Sequence, residues 1–402
     1  MTITPKKISS KDFKNFLTFY FTKKDFCFII HLSLINFMYF YDAVGDTKQF
    51  EIEVLNLGYK DFQYKEDFKL IQSSTLLKQK PSSVRCVYKI LKPLNNSDFK
   101  QEILDFVENN PFKKYYVNSN VLSKKEILTQ LHDVKKSKKF HFDANVNTFL
   151  LSKRGFFKQK VAVLAILRFD RKFYFCELID ADNVSQLEMF DYKKPFRKQR
   201  QGMMPPKLAS FMINLLGPEC KNVYDPFCGT GTTLMLCLKD GIDFKGSDIL
   251  DDNIPGTIEN LEYIASKFNK EFDPKNVFQR DALKITSDDL KNVQGICSEG
   301  FLGKPKAGNE ELIDLVRESD NLADFYLDFL ENLSSKVESG FPIVMTFPVF
   351  KTGNRLIYMD SLYNNLKEVG FKQVNLHPKH LSYLYSRDDQ RVLRQVVKIV
   401  KV

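Results

Sequence analysis

The stretch Val223-Tyr224-Asp225-Pro226-Phe227-Cys228-Gly229-Thr230-Gly231-Thr232-Thr233 limits what this chain can fold into more than any other. A β-prone pair leads into a carboxylate, a proline turn follows, and two glycines stand one residue apart. Behind them Leu234, Met235, Leu236, Cys237 and Leu238 read as an apolar helix that Gly241 stops. The stretch therefore predicts a strand, a tight loop and a helix start. Glycine lets a ligand come close to the backbone where a Cβ would block it. The helix start points free N–H groups at that ligand. Asp225 puts a negative charge beside the loop, which disfavours phosphate and suits a ligand with a cationic or hydroxyl-bearing end.

The residues that follow repeat the pattern of strand, then acid. Residues 244–249 read as a second strand ending at Asp248, which lies 17 residues beyond Gly231. A carboxylate there can accept both hydroxyls of a ribose. A helix over 255–268 and a third strand over 277–282, closed by Asp281-Ala282, come next. The fourth strand is expected over 293–297, followed by Ser298-Glu299-Gly300-Phe301-Leu302-Gly303. Beyond it the spacing predicts a mobile lip over 303–309, a helix over 321–337, a strand over 342–350 and a helix over 360–369. A closing antiparallel pair is expected from 371–376 and 392–400, with a turn over 385–388.

Asp225 to Thr232 resembles the first motif of class I S-adenosylmethionine (SAM) methyltransferases, in the form found in enzymes that modify base amino groups. The block Met203-Met204-Pro205-Pro206-Lys207-Leu208-Ala209, just ahead of it, resembles the tRNA guanine-N2 methyltransferase branch. The resemblance spans about residues 187–285. It implies an α/β, Rossmann-like class I methyltransferase fold: a seven-stranded sheet with a closing antiparallel pair, preceded by a smaller α+β RNA-binding region. It also implies SAM as cofactor, held by Asp225, Pro226, Phe227, Cys228, Gly229, Thr230, Gly231, Thr232, Asp248, Asp281 and Ala282. In the family the fourth strand ends in Asp or Asn, then two prolines and an aromatic residue. The acid or amide and a backbone carbonyl accept the two N–H groups of the substrate amine, and the ring stacks on a flipped-out base. Here both prolines are missing. Glu299 takes the catalytic position and Phe301 the stacking position, one place early.

The charge is unevenly spread. Residues 1–200 hold 36 Lys and Arg against 22 Asp and Glu, whereas residues 201–402 hold 24 against 28. A basic front half joined to a near-neutral half fits a polyanion grip beside a small-molecule site. The expected organisation is an α+β RNA-binding region over 1–188, THUMP-like if the family arrangement carries over. A basic linker over 189–202 and a methyltransferase domain over 203–402 follow. Arg197, Lys198 and Arg200 in the linker are expected to lead RNA to the site, with tRNA favoured over rRNA. Within the front half, residues 26–32, 50–57, 84–91 and 161–167 read as strands, the last paired with 172–178 across Asp170-Arg171. Residues 62–71, 99–107 and 122–131 read as helices; Ser123 and Glu126 form a capping-box pattern at the third. The basic run 135–139 reads as a solvated turn. Asn109-Asn110-Pro111-Phe112 vaguely resembles the amine-binding motif but reads better as a turn that ends a helix.

Seven cysteines occur without a Cys-x-x-Cys pair, which points to a reducing cytoplasm. The five histidines stand apart from them, so no metal site is expected, and His377 and His380 read as part of a polar turn. The most apolar early run, 26–41, is shorter than the ~20 residues that span a bilayer. Two other readings stay open: a DNA amino-methyltransferase, and an RNA-binding protein that keeps the fold without turnover.

Overall fold

The computed structural model describes the chain from Tyr39 onward, apart from residues 44–46, 60–62, 65–69, 74–75, 78–80, 97, 111–113, 138–140, 145–160, 182–183, 199–202, 307 and 388–389. The expected strand over 26–32 lies outside the described residues, as does Arg200.

The front half contains β1 (Tyr39–Ala43), α1 (Thr47–Asn56), β2 (Gln63–Tyr64), β3 (Leu70–Ser73), β4 (Val84–Leu94), α2 (Lys100–Asn109), β5 (Lys114–Ser119), α3 (Lys124–Ser137), β6 (His141–Ala144), β7 (Val161–Phe169), β8 (Lys172–Ala181) and α4 (Val184–Phe190). Its strands form one mixed sheet in the order β2-β3-β1-β4-β8-β7-β5-β6. Asp170 and Arg171 both have positive φ (47° and 63°), as a two-residue turn between twisted strands requires, and β7 and β8 pair across them. Ser123 and Glu126 close the capping box in both directions: Ser123 N donates to Glu126 Oε2 at 2.7 Å, and Glu126 N donates to Ser123 Oγ at 3.3 Å.

Three local expectations fail here. Residues 50–57 lie mostly in helix α1, not in a strand. Phe50 and Val54 pack with Tyr41 and Ile71, whereas Ile52 joins the core around Phe211 and Leu215. A helix buried on two faces carries apolar residues at every second position, which imitates a strand. Residues 63–64 and 70–73 pair as strands, Gln63 opposite Gln72 and Tyr64 opposite Ile71, where a helix was expected. Lys135 and Lys136 continue helix α3 and are not a turn, as the good helix propensity of lysine allows.

The second half contains α5 (Pro206–Leu215), β9 (Asn222–Asp225), α6 (Thr232–Asp240), β10 (Asp243–Asp248), α7 (Asn253–Phe268), β11 (Val277–Gln279), β12 (Gly295–Glu299), α8 (Leu312–Ser334), β13 (Pro342–Thr352), β14 (Arg355–Ile357), α9 (Asp360–Asn365), β15 (Phe371–Val374), β16 (Tyr383–Tyr385) and β17 (Val392–Lys401). The sheet runs β11-β10-β9-β12-β13-β17-β15, with β14 on β13 and β16 on β17. Strands β9 to β13 are mutually parallel, and β17 lies antiparallel between β13 and β15. This is the Rossmann-like class I methyltransferase fold. Alternation along β9 sends Val223 to the core formed with α5, α6 and α7, and Tyr224 to the core formed with α8 and α9. Burial of Leu208, Phe211, Met212 and Leu215 on α5 contributes about 1.5–3 kcal/mol each.

The stretch expected as a linker is packed. It begins inside helix α4, Lys194 is only 2% exposed, and the ring of Phe196 covers Gly256 so closely that a Cβ there would lie 2.3 Å from it. Residues 191–198 form a strap laid against the second half. Helix α1 also docks there. Asn214 Nδ2 on α5 donates to the buried Glu53 Oε1 at 2.5 Å, and Asn56 Nδ2 donates to Leu376 O at 2.8 Å. Residue Lys306, in the expected mobile lip, has a nearly buried side chain that pairs with Glu318 and lies 5.1 Å from the Phe350 ring centre. The 385–388 stretch expected as a turn begins inside strand β16. Among the described residues no helix is long and apolar enough to cross a membrane. The described cysteines are free thiols.

Candidate cofactor and substrate site

Parallel pairing brings four acids to one edge of the sheet. Asp225 ends β9, Asp248 ends β10, Glu299 ends β12, and Asp281 follows β11. Strand order reverses between β9 and β12, and ligands of open α/β sheets bind in the crevice at such a point, beyond the carboxyl ends of the strands.

The glycine loop turns sharply out of β9. Gly229 and Gly231 have φ of 54° and 77°, which side chains rarely adopt, and a Cβ on Gly231 would stand 2.7 Å from Thr257 Cγ2. The loop is braced from α7: Thr257 Oγ1 donates to Gly229 O at 2.8 Å and Asn260 Nδ2 donates to Thr230 O at 2.9 Å. From the strap, Lys194 Nζ donates to Thr230 Oγ1 at 2.8 Å and to Thr232 Oγ1 at 3.0 Å. Asp225 is 2% exposed and accepts from Phe227 N at 3.2 Å and from Ser298 Oγ at 2.5 Å. Burial pushes its carboxyl up to about 7, against those hydrogen bonds. Asp248 accepts from Gly229 N and Leu250 N, both at 2.9 Å, so the second strand's acid helps to shape the loop. Asp281 caps a short helix by accepting from Leu283 N at 3.0 Å, next to the buried Ala282. Pro226 is buried, Phe227 packs edge-on against Phe329, and Cys228 is a buried thiol held far above its ordinary titration range. Such a thiol packs and does not react.

These residues fit SAM. Two bare Cα atoms stand at the loop, one buried acid precedes it, and a second acid stands at the neighbouring strand end. Asp225 and the loop would hold the amino-acid end, Asp248 the ribose and Asp281 the adenine.

The altered fourth motif is built differently from its expected form. Strand β12 runs two residues further, so Ser298 and Glu299 belong to the sheet. Glu299 pairs with Arg394 of β17, both largely buried. Burial raises its carboxyl while Arg394 and Lys194 draw it down. Gly300 leaves no room for a side chain, since a Cβ would lie 2.1 Å from the Tyr326 hydroxyl. That hydroxyl donates to Phe301 O at 2.8 Å and fixes the backbone, while the Phe301 ring is 52% exposed. Arg197 is exposed, and Lys198 Nζ lies 5.6 Å from the Phe196 ring centre. Sequence reasoning missed Lys194, Arg394 and Ser298. A lysine in a basic run carries no sign of burial, and Arg394 meets Glu299 only through sheet order.

His377 and His380 form the expected tight turn, N–H to carbonyl in both directions at 3.0 and 2.8 Å. Glu51 of α1 joins them, and the three ligand atoms lie within 4.8 Å of one another. His377 Nδ1 accepts from Lys379 N at 3.2 Å, so that ring nitrogen is already engaged within the turn.

Two curated relatives are tRNA (guanine(10)-N2)-dimethyltransferases. The one from Methanothermobacter thermautotrophicus is 30% identical over 158 residues, covering 39% of this chain and 41% of that protein. The one from Pyrococcus abyssi is 36% identical over 80 residues, covering 19% and 24%. The chain thus spans less than half the length of these relatives. A crystal structure described as a predicted N6-adenine-specific DNA methylase from Listeria monocytogenes is 10% identical, with a TM-score of 0.43 over 93% of this chain and 98% of that one. Residues 22–258, more than half of the chain, match the family model of the N6/N4 methyltransferases, described as DNA methylase, and the chain belongs to that family.

Proposed function

We propose that the protein is a SAM-dependent RNA methyltransferase acting on a base exocyclic amine, guanine N2 in tRNA. The observation that carries this reading is the placement of the Asp225–Gly231 cradle and the Glu299–Phe301 pair at neighbouring strand ends. The two tRNA-modifying relatives support the choice of substrate. When bound, the cofactor supplies an electrophilic methyl group on a sulfonium. The amine nitrogen gains that methyl and loses a proton. Glu299 accepts an amine N–H and then takes up the proton; burial raises its carboxyl despite the charge of Arg394, which suits a proton acceptor. Phe301 stacks on the displaced base, and alignment of the partners contributes most of the acceleration. Arg197, Lys198 and Arg200 contact phosphates, and the protein works in the cytoplasm.

One observation favours a second reading. The matched family is described as DNA methylase, which makes a DNA amine the competing substrate. Labelled methyl transfer from SAM to total tRNA, rRNA and DNA separates the two. Label in tRNA that is absent with Glu299→Ala supports the first reading, and label in DNA alone supports the second. SAM binding without transfer to any of them leaves a protein of this fold without turnover.

A further inference from the structure

Lys194 is a buried cation whose neighbouring acids, Asp191 and Glu299, act on it only from a distance. It belongs to the strap and yet is only 2% exposed. Its Nζ reaches only two neutral oxygens, the hydroxyls of Thr230 and Thr232. Among the described residues no carboxylate makes an ion pair with it, and the nearby Glu299 is taken by Arg394. An ammonium removed from water is costly unless an opposite charge meets it, and two hydroxyls offset only part of that cost. Burial accordingly draws Lys194 down to about 8.

The strap is tied to the glycine loop beside it. Asn260 clamps it: Phe196 N donates to Asn260 Oδ1 at 2.9 Å, and Asn260 Nδ2 donates to both Phe196 O at 3.0 Å and Thr230 O at 2.9 Å. One asparagine therefore ties strap and glycine loop together. Lys194 puts a positive charge at the loop and at the start of α6, where backbone N–H groups also favour an anion.

We infer that Lys194 is the counter-ion of the α-carboxylate of the cofactor's methionyl end, so that the strap is a working part of the cofactor site. The inference rests on the SAM reading above. A SAM molecule carries one anionic group, that carboxylate, beside a cationic sulfonium and ammonium. The cradle then offers opposite charges to the two ends of a zwitterion: Asp225 for the ammonium and Lys194 for the carboxylate. Thr230 and Thr232 orient the lysine, which is a binding residue and takes no part in the chemical step.

Calorimetry of the full chain with SAM and with decarboxylated SAM, which lacks only the carboxylate, tests this. A charge-assisted hydrogen bond predicts that Lys194→Met weakens SAM by about ten- to a hundredfold and decarboxylated SAM by less than about threefold. Lys194→Arg keeps the preference in part. Equal weakening of both ligands would mean that Lys194 only props the loop, and unchanged SAM affinity with reduced tRNA affinity would mean that it serves a phosphate; either result overturns the inference. Should Lys194→Met fail to fold, Lys194→Gln takes its place: the wild type must bind SAM at least about tenfold tighter than its decarboxylated form, and Lys194→Gln must narrow that ratio. A wild type that binds neither ligand refutes the SAM reading itself, whereas one that binds both equally refutes only the role of Lys194.

Discussion

Ser298 Oγ donates to Asp225 Oδ1 at 2.5 Å, so the first residue of the altered fourth motif is already a part that shapes the cofactor cradle. The bond crosses from β12 to β9, neighbours in the sheet. It stabilises the ionised form of an acid that burial otherwise drives towards protonation.

Cofactor affinity should therefore depend on pH. Asp225 titrates near 7 in the ligand-free fold, and a cationic ligand end needs the carboxylate. Affinity for S-adenosylhomocysteine should fall as pH drops through 7, and Ser298→Ala should move that midpoint upward. Asp225→Asn should bind weakly and lose this pH dependence. Calorimetry from acid to mildly alkaline pH reads all three.

The same acid bears on stability with the opposite sign. Its folded-state value lies above that of the unfolded chain, so the folded state holds the proton more tightly. Asp225's contribution to stability should decline as pH rises from about 4 to 7, the interval between the two states' values. Thermal melts of the ligand-free wild type should fall over that interval relative to Asp225→Asn.

Glu299 and Arg394 form a buried pair, and removing one partner strands the other. Arg394→Met should cost about 3–5 kcal/mol and abolish methyl transfer. The double variant Glu299→Leu with Arg394→Met should recover much of that stability and none of the activity. Denaturant titration beside a transfer assay checks both halves; recovered activity would remove Glu299 from the chemistry.

Glu53 anchors helix α1 with no exposure. Its carboxylate accepts from Ser82 N and Asn214 Nδ2, both at 2.5 Å, and from Ser83 N at 3.4 Å. Glu53→Ala leaves these buried donors unmet and should cost roughly 3 kcal/mol or more, while Glu53→Gln should cost less. Melting temperatures rank the two. Partial retention of SAM binding in Glu53→Gln would show that the cradle stands while the dock weakens.

Gly300 is required by a ring on helix α8. Gly300→Ala puts a methyl on the Tyr326 hydroxyl and should cost about 1–3 kcal/mol, together with loss of base stacking at Phe301. Tyr326→Phe removes the bond to Phe301 O without the clash, so its transfer rate should lie between wild type and Gly300→Ala.

The sequence by itself determined the strand, loop and helix around Asp225, and the order in which acids follow successive strands. Those features are local: glycine spacing, apolar runs and caps act within a few residues of one another. It misjudged α1, whose two buried faces carry overlapping apolar patterns, and it read residues 189–202 as a linker because the run is basic and broken by proline. Only the tertiary structure decided that Lys194 is buried against the glycine loop, that Ser298 bonds Asp225, and that Glu299 meets Arg394 from 95 residues away. These contacts depend on which strands become neighbours, and sheet order comes from packing the whole chain, not from any one segment of it.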